Sequence, residues 1–260
     1  MCARYLILGE EETYYTLLNL RDLEGERDYF RELTRYNIVP GVYIPIITKW
    51  DPVHTEFMKW GFIPSWAKEK KYAPVNARAE GDLNPEDADG YDGPWGIFNK
   101  PFFRDAIRRR RCLIPATAIV EGPMDIGLKK PYLIYLRERK VFYMAGIYDQ
   151  WTDRATGEII PTVAIITMGG NALARSFGHV RMPVILPAGT EKAWLEAKTD
   201  AEVSSFFHAY PAAEMNAFPI DPAFRNPRHR EPKYLRPIGD TIYPETAPHV
   251  LEEIEKISNG

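Results

Sequence analysis

The sequence predicts an α+β protein, a single domain with a curved, barrel-like mixed or antiparallel β-sheet core and peripheral helices. Its 260 residues include 22 prolines, which are tolerated at turns and strand edges but break helices, so many short strands with irregular connections are favoured. Apolar residues make up 45% and charged residues 27% of the chain, enough to form a core. Internal repeats and a domain-dividing linker are absent, so residues 1–260 are expected to form one domain.

The first hundred residues are expected to mix short strands with long loops. Residues 5–9 read as a strand, and residues 10–35 have helical spacing interrupted at Gly25, which predicts two helices. Residues 42–48 are β-rich, with Pro45 at an edge or bulge. Residues 60–80 predict ordered loop around short strands, and the acidic, Gly- and Pro-rich stretch 84–96 predicts a mobile surface loop.

The rest of the chain is richer in strands. A helix with proline in its first turn is expected over 101–109, and a short helix over 171–177. Two helices are expected within 190–209 and a closing helix over 245–257, whereas 210–237 has no clear period. The predicted strands cover residues 112–121, 132–137, 141–151, 162–168 and 184–186. Because the second and third of these are separated by a short charged turn, they are predicted to form a hairpin.

Composition excludes several classes of protein. The net charge of −3 is unlike a general nucleic-acid coat, so any contact with DNA must use a local patch. The longest apolar stretches, such as 163–168, fall short of the roughly 18 residues of a membrane span. The apolar segment 5–8 is too short for a secretory signal, and the residues 10–12 that follow it are acidic. Two cysteines and five histidines lack the spacing of a disulfide framework or a zinc site. We therefore expect a cytoplasmic protein without membrane contact, metal or cofactor.

Cys2 is the first residue with distinctive chemistry. Initiator methionine is removed when the next side chain is small, and removal of Met1 would leave a 1,2-aminothiol at the start of the chain. The amine titrates at roughly 7.7–8.0 and the thiol at about 8.5, so both reach nucleophilic form near neutral pH. Such a pair traps an aldehyde as an iminium that the thiolate closes to a thiazolidine. The alternative is that Cys2 is incidental.

Five motifs follow Cys2 in a characteristic order. They are Trp-Gly-Phe-Ile-Pro-Ser-Trp (60–66), Asn-Ala-Arg-Ala-Glu (76–80), Arg-Cys-Leu-Ile-Pro-Ala (111–116) leading to Glu121, Ala-Gly-Ile (145–147) and His-Val-Arg-Met-Pro-Val-Ile-Leu (179–186). Together they resemble the SRAP (SOS-response-associated peptidase) family, whose members cross-link themselves to abasic sites in single-stranded DNA. The resemblance is best over residues 2–195, and residues 210–260 form a divergent C-terminal extension.

The resemblance implies four catalytic residues. Cys2 matches the family nucleophile. Asn76 matches an asparagine that holds the terminal amine or the sugar hydroxyl. Glu121 ends an apolar strand and matches the glutamate that assists ring opening and proton transfer; a structural salt bridge is the alternative. His179 matches a histidine near the sugar, and an ordinary pKa of about 6.5 would let it donate or accept a proton at neutral pH.

DNA binding is expected to fall to Arg4, Arg78 and Arg181, because guanidinium groups fit phosphate oxygens, and to Trp66, on which a base can stack. Trp60 better suits a tryptophan packed in the core. The arginine run 108–111 predicts a solvated helix face more than a DNA contact, and Cys112 a buried, inert thiol. The implied partner is single-stranded DNA with abasic sites, bound by a monomer.

The sequence departs from the family pattern at several positions. Ala3 stands where the family usually has glycine, Gly122-Pro123 where tryptophan commonly follows the glutamate, and Gly178 where a branched apolar residue precedes the histidine. The predicted activity is a DNA-damage response through a thiazolidine cross-link, with strand cleavage by lyase chemistry as a side activity. An N-terminal-cysteine peptidase that removes its own Met1, and a non-covalent single-stranded nucleic-acid-binding module, are the alternatives.

Overall fold

The computed structural model describes residues 3–9, 37–88 and 90–259. The two helices expected within residues 10–35 and the nucleophile Cys2 lie outside the described residues. The strands are β1 (Tyr5–Leu6), β2 (Tyr43–Thr48), β3 (Glu56–Trp60), β4 (Asn76–Arg78), β5 (Arg111–Ala116), β6 (Ala118–Glu121), β7 (Tyr132–Leu136), β8 (Phe142–Thr152), β9 (Ile159–Gly169), β10 (Arg181–Pro183) and β11 (Met215–Pro219). The α-helices are α1 (Arg104–Arg109), α2 (Ala172–Ser176), α3 (Glu191–Glu196), α4 (Asp200–Ser204) and α5 (His249–Asn259), with 3₁₀ turns at Gly96–Phe98, Gly127–Lys129, Ala212–Glu214, Pro222–Arg225 and Pro232–Leu235.

Five of these strands close into a barrel in the order β9-β3-β2-β5-β8 and back to β9. The barrel is mixed because β3 runs parallel to β9, whereas the other neighbours are antiparallel. The long strand β9 also carries β4, in parallel, and β10, antiparallel, beyond the barrel. The expected α+β fold with a barrel-like core is confirmed.

A second, four-stranded antiparallel sheet has the order β1-β6-β7-β11. Tyr5, Ile119 and Ile134 on one face pack against barrel residues in one buried cluster. The other face packs against α5 through Val250 and Ile254. A sheet covered on both sides explains why all five residues of β7 are buried, a pattern that period-two alternation does not reveal.

Two sequence-based strand predictions were wrong in their connections. Residues 112–121 form not one strand but β5 and β6, which belong to different sheets and are separated at Thr117, whose side chain bonds the backbone of Leu6 and Leu8. The predicted hairpin of β7 and β8 is absent: β7 pairs with β6 and β11, and β8 with β5 and β9. Packing of β7 and β8 against distant parts of the chain therefore outweighed the local tendency of the short turn between them to form a hairpin.

Other differences are smaller. The strand expected at 184–186 is instead β10, three residues earlier, and Ile185 makes only a single bridge to Met144. β11 was missed within the proline-rich stretch 210–237, where Pro219 is its last residue. The short helix after Asn171 is confirmed, and the Asn171 side chain caps it by accepting from the Ala174 amide. Helices α3 and α4 within 190–209 and the closing helix α5 are confirmed as well.

Candidate active site

A cavity of about 170 Å³ opens where the N-terminal strand meets the end of β6. Its lining includes Ala3, Arg4, Glu121 and His179 together with the loop that follows Glu121. Two of the four predicted catalytic residues, Glu121 and His179, therefore share one cavity, although 57 residues separate them in the sequence.

The pairing of β1 with β6 brings the start of the chain to this cavity. Tyr5 pairs with Ile119 in antiparallel register, and the Val120 amide donates to the Arg4 carbonyl at 3.1 Å. Because residue numbers run in opposite directions along antiparallel strands, the same register places Ala3 opposite Glu121. Cys2 precedes Ala3 directly and is outside the described residues.

Glu121 and His179 form a buried pair. Nε2 of His179 lies 3.4 Å from Oε2 of Glu121, and the two side chains are 3% and 7% exposed. Nδ1 of His179 lies 2.7 Å from the Gly122 carbonyl oxygen, which can only accept, so Nδ1 carries a proton. In a neutral imidazole Nε2 is then the acceptor. A hydrogen bond between the two side chains would therefore need one proton, carried by the Glu121 carboxyl.

Burial lowers the pKa of His179 to about 4, even though the hydrogen bond to the Gly122 carbonyl acts in the opposite direction. The expectation of a near-neutral pKa for this histidine was wrong, because an imidazolium loses its hydration in an enclosed site. At neutral pH His179 is therefore an uncharged acceptor at Nε2. Glu121 is buried at the end of an apolar strand, as predicted.

Two of the departures from the family pattern lie side by side at this cavity, and one of them, Gly122-Pro123, belongs to its lining. A Cβ on Gly122 would lie 2.1 Å from the Gly127 carbonyl oxygen, so this backbone position has no room for a side chain. Gly178 has a φ of +80°, and a Cβ there would lie 3.4 Å from that of Pro123. The Met124 amide donates to the Gly178 carbonyl at 2.9 Å. The Gly122-Pro123 and Gly178 changes are thus neighbours in space, and Gly122 itself supplies the carbonyl that bonds His179.

Asn76 begins β4, which pairs with β9. It is 9% exposed and pairs with Ile165 at the start of β4. The described residues that line the cavity beside Glu121 do not include it. Its role in holding an amine or a sugar stays a prediction.

The three predicted phosphate-binding arginines differ in environment. Arg4 lines the cavity, and burial lowers its pKa while the negative charge of Glu121 raises it. Arg78 and Arg181 are already bound to carboxylates: Arg78 to Asp87 at 2.9 Å, and Arg181 to Glu80 at 3.1 Å and also to Asp87. Arg181 is only 2% exposed.

The two tryptophans of the first motif differ in exposure, as expected. Trp66 is 59% exposed and leans edge-on against Phe102, so it can take a stacked base, whereas Trp60 is 1% exposed and donates to the Val75 carbonyl. Cys112 is fully buried, which raises the pKa of its thiol.

The arginine run 108–111 is mostly structural. Arg111 is buried and donates to backbone carbonyls, including those of Ile107 and Trp194. Arg108 binds Asp200 on α4, and Arg110 binds Asp149 at 3.2 Å. Arg108 and Arg109 are the exposed members, at 41% and 76%.

Sequence reasoning missed the partners of the arginines. Glu80 is fully buried and lies in the quoted motif 76–80, but its ion pair is with Arg181 of the motif 179–186, and the spacing within either motif does not indicate this. Asp87 lies in the acidic loop that was interpreted only as a mobile surface segment. Within the described ranges, His, Cys, Asp and Glu side chains do not gather into a group that could hold a metal ion, and none of the helices found there is long and apolar enough to cross a membrane.

The fold and the cavity define a barrel protein that brings a carboxylate–imidazole pair to the start of its own chain. The family model for SOS response associated peptidase (SRAP) matches residues 1–227, and the chain belongs to this family. It is 31% identical over 241 residues to the abasic site processing protein YoqW of Bacillus subtilis, covering 90% of this chain and 99% of that one.

Similarity extends to more distant relatives and to solved structures. The chain is 27% identical over 205 residues to the abasic site processing protein HMCES of Gallus gallus, covering 70% of this chain and 56% of HMCES. A crystal structure of a protein from Bacteroides thetaiotaomicron superposes with a TM-score of 0.75 at 26% identity, covering 92% of this chain and all of that one.

Proposed function

We propose that this protein acts on abasic sites in single-stranded DNA and captures them covalently through Cys2. The observation that carries the proposal is the cavity in which Glu121 and His179 flank Ala3, the residue next to Cys2. Membership of a family whose named relatives are abasic site processing proteins supports the substrate class.

The chemistry requires removal of Met1, which frees the amine of Cys2. That amine adds to the aldehyde carbon of the ring-opened sugar, and loss of water gives an iminium. The thiolate then attacks the same carbon, and the electron pair of the C=N bond returns to nitrogen, closing a thiazolidine. Elimination from the iminium, before the thiolate adds, would instead cleave the strand.

Proton transfer is the role proposed for the buried pair. Ring opening needs a proton delivered to the ring oxygen and one taken from the hydroxyl, and the loss of water needs another donor. Nε2 of His179 is an uncharged acceptor at neutral pH, and the Glu121 carboxyl lies 3.4 Å away, so the two side chains can hold and exchange one proton. Arg4 in the same cavity can face the phosphate beside the lesion.

The decisive experiment is a denaturing gel of the protein with single-stranded DNA that contains one abasic site. A heat-resistant shifted band is expected for the wild type and for Cys112→Ser, the matched control on the other cysteine. It should be lost in Cys2→Ala and weak or labile in Cys2→Ser, because oxygen closes the ring poorly. Intact-mass measurement should show the loss of Met1.

The same experiment separates the other activities. A Cys2→Ala variant that still forms the band, or a wild type that retains Met1 in full, would contradict the proposal. Salt-sensitive binding without any covalent band would indicate a non-covalent single-stranded nucleic-acid-binding module. Hydrolysis of peptides beyond Met1 would favour the peptidase. For Glu121→Gln we expect slower cross-linking with binding retained.

A further inference from the structure

The loop that contains residues 84–88 is anchored to Arg78 by the Asn84 carbonyl, which accepts from Nη2 at 2.5 Å, and to three arginines by Asp87. Its Oδ1 accepts from Nη2 of Arg78 at 2.9 Å and from Nη1 of Arg181. Its backbone carbonyl accepts from Nη2 of Arg175 at 2.7 Å. The loop is folded onto these groups by a tight turn, in which the Asp87 amide donates to the Asn84 carbonyl and the Ala88 amide to the Asn84 side chain.

The two carboxylates on Arg181 are not equivalent. Glu80 is fully buried and also accepts from the Gly169 amide of β9 at 2.8 Å, so it is part of the sheet. The Asp87 side chain is 14% exposed and stands on a loop outside any strand or helix. Of these two partners, Asp87 is the one that can leave while the fold stays intact.

A guanidinium offers the same fork of donors to a carboxylate and to a phosphate. We propose that Asp87 is a built-in competitor for the DNA backbone: in the free protein its carboxylate occupies the donors of Arg78 and Arg181 that a phosphodiester oxygen would take. This inference rests on the proposed function, since it assumes that the two arginines face a phosphate. Asp87 then weakens binding, because a nucleic acid must displace this carboxylate before Nη2 of Arg78 and Nη1 of Arg181 are available.

The proposal predicts that neutralising Asp87 strengthens binding. The experiment measures fluorescence anisotropy of a labelled single-stranded oligonucleotide carrying a tetrahydrofuran residue, which mimics the abasic site without an aldehyde, so that only non-covalent affinity is read. Asp87→Asn keeps the side-chain shape and is expected to lower the Kd by about tenfold, or 1.4 kcal/mol. The matched control is Glu86→Gln, the same charge change on the neighbouring, exposed residue.

Each outcome of this comparison has a defined meaning. A Kd for Asp87→Asn equal to that of Glu86→Gln, or weaker than wild type, would overturn the proposal. In an Arg78→Ala background the gain from Asp87→Asn should fall by more than half, because one of the released arginines is missing, and an undiminished gain would count against it. Failure of the wild type and all variants to bind would instead contradict the proposed function.

A measurement on the wild type keeps the test independent of the variants. Hydrogen exchange of the amides of residues 86–88 should become faster when the protein is saturated with the same oligonucleotide, because the turn leaves the arginines. Ligands usually slow exchange where they bind, so acceleration confined to this loop is a distinctive result. Unchanged or slower exchange there would refute displacement of Asp87, even if Asp87→Asn does not fold.

Discussion

Replacing His179 by asparagine is expected to make the protein less sensitive to acid. Asparagine can still donate to the Gly122 carbonyl through its amide, but it does not titrate. In the wild type the folded state resists protonation of His179, whose pKa lies at about 4 against 6.5 for an ordinary histidine. Between these values the unfolded chain binds more protons than the folded one, so the wild type loses stability as the pH falls from 6.5 to 4.

The size of the effect follows from the two pKa values. Each unit between them contributes about 1.4 kcal/mol, so the wild type should lose about 2 kcal/mol by pH 5 and about 3 kcal/mol by pH 4 from this residue alone. Above pH 6.5 both states are uncharged at this position and the contribution vanishes. The magnitude depends on burial, since His179 is only 2% exposed and its imidazolium would have little water around it.

The assay is urea unfolding of wild type and His179→Asn at pH 7, 6, 5 and 4. Other groups titrate in both proteins, so the informative quantity is the difference in unfolding free energy at each pH. The wild type is expected to exceed the variant most at pH 7, and the margin should shrink by about 3 kcal/mol at pH 4. Parallel curves would show that the folded protein accepts a proton on His179 freely, and would refute the assignment of an uncharged acceptor.

Two further predictions concern the cavity wall and the exposed aromatic. Gly122→Ala should lower the unfolding free energy by about 1–3 kcal/mol and slow cross-linking, since its Cβ would meet the Gly127 carbonyl oxygen at 2.1 Å and move the carbonyl that holds His179; an unchanged melting temperature would contradict this. Trp66→Ala should weaken single-strand binding by about 1–3 kcal/mol with little change in melting temperature, whereas Trp60→Ala should cost about 3–5 kcal/mol of stability; equal losses of stability would show that Trp66 is a core residue.

The strands were predictable where local composition is distinctive, but their pairing was not. β8 and β9 stand out as long apolar runs, and both were found within a few residues. The choice of partner for β7 depends on burial between the barrel and α5, which no local pattern encodes, so the charged turn after it wrongly indicated a hairpin. β11 escaped because prolines surround it, although Pro219 occupies its last position, where proline is tolerated.

At the site, residue types were predictable and protonation states were not. Glu121 and His179 were chosen from motifs, and the fold brings them within 3.4 Å. The charge of His179, however, depends on how much water the folded chain leaves around it. The loop after Glu121 lines the same cavity as the imidazole through Gly122 and Pro123, the two residues that replace the family's usual pattern after the glutamate, and Gly122 bonds the ring.

The arginines show the limit of motif reasoning most clearly. A guanidinium in a matched motif was interpreted as a phosphate ligand because its donors fit phosphate oxygens, but the same donors fit carboxylates equally well. Arg181 is paired with Glu80 and Asp87 and Arg78 with Asp87, so a phosphate can take the donors used in these pairs only where a carboxylate withdraws. Glu80 cannot withdraw without breaking its bond to β9. The balance between an internal and an external anion at these two arginines is therefore decided at Asp87, on a loop whose sequence indicated only that it is acidic.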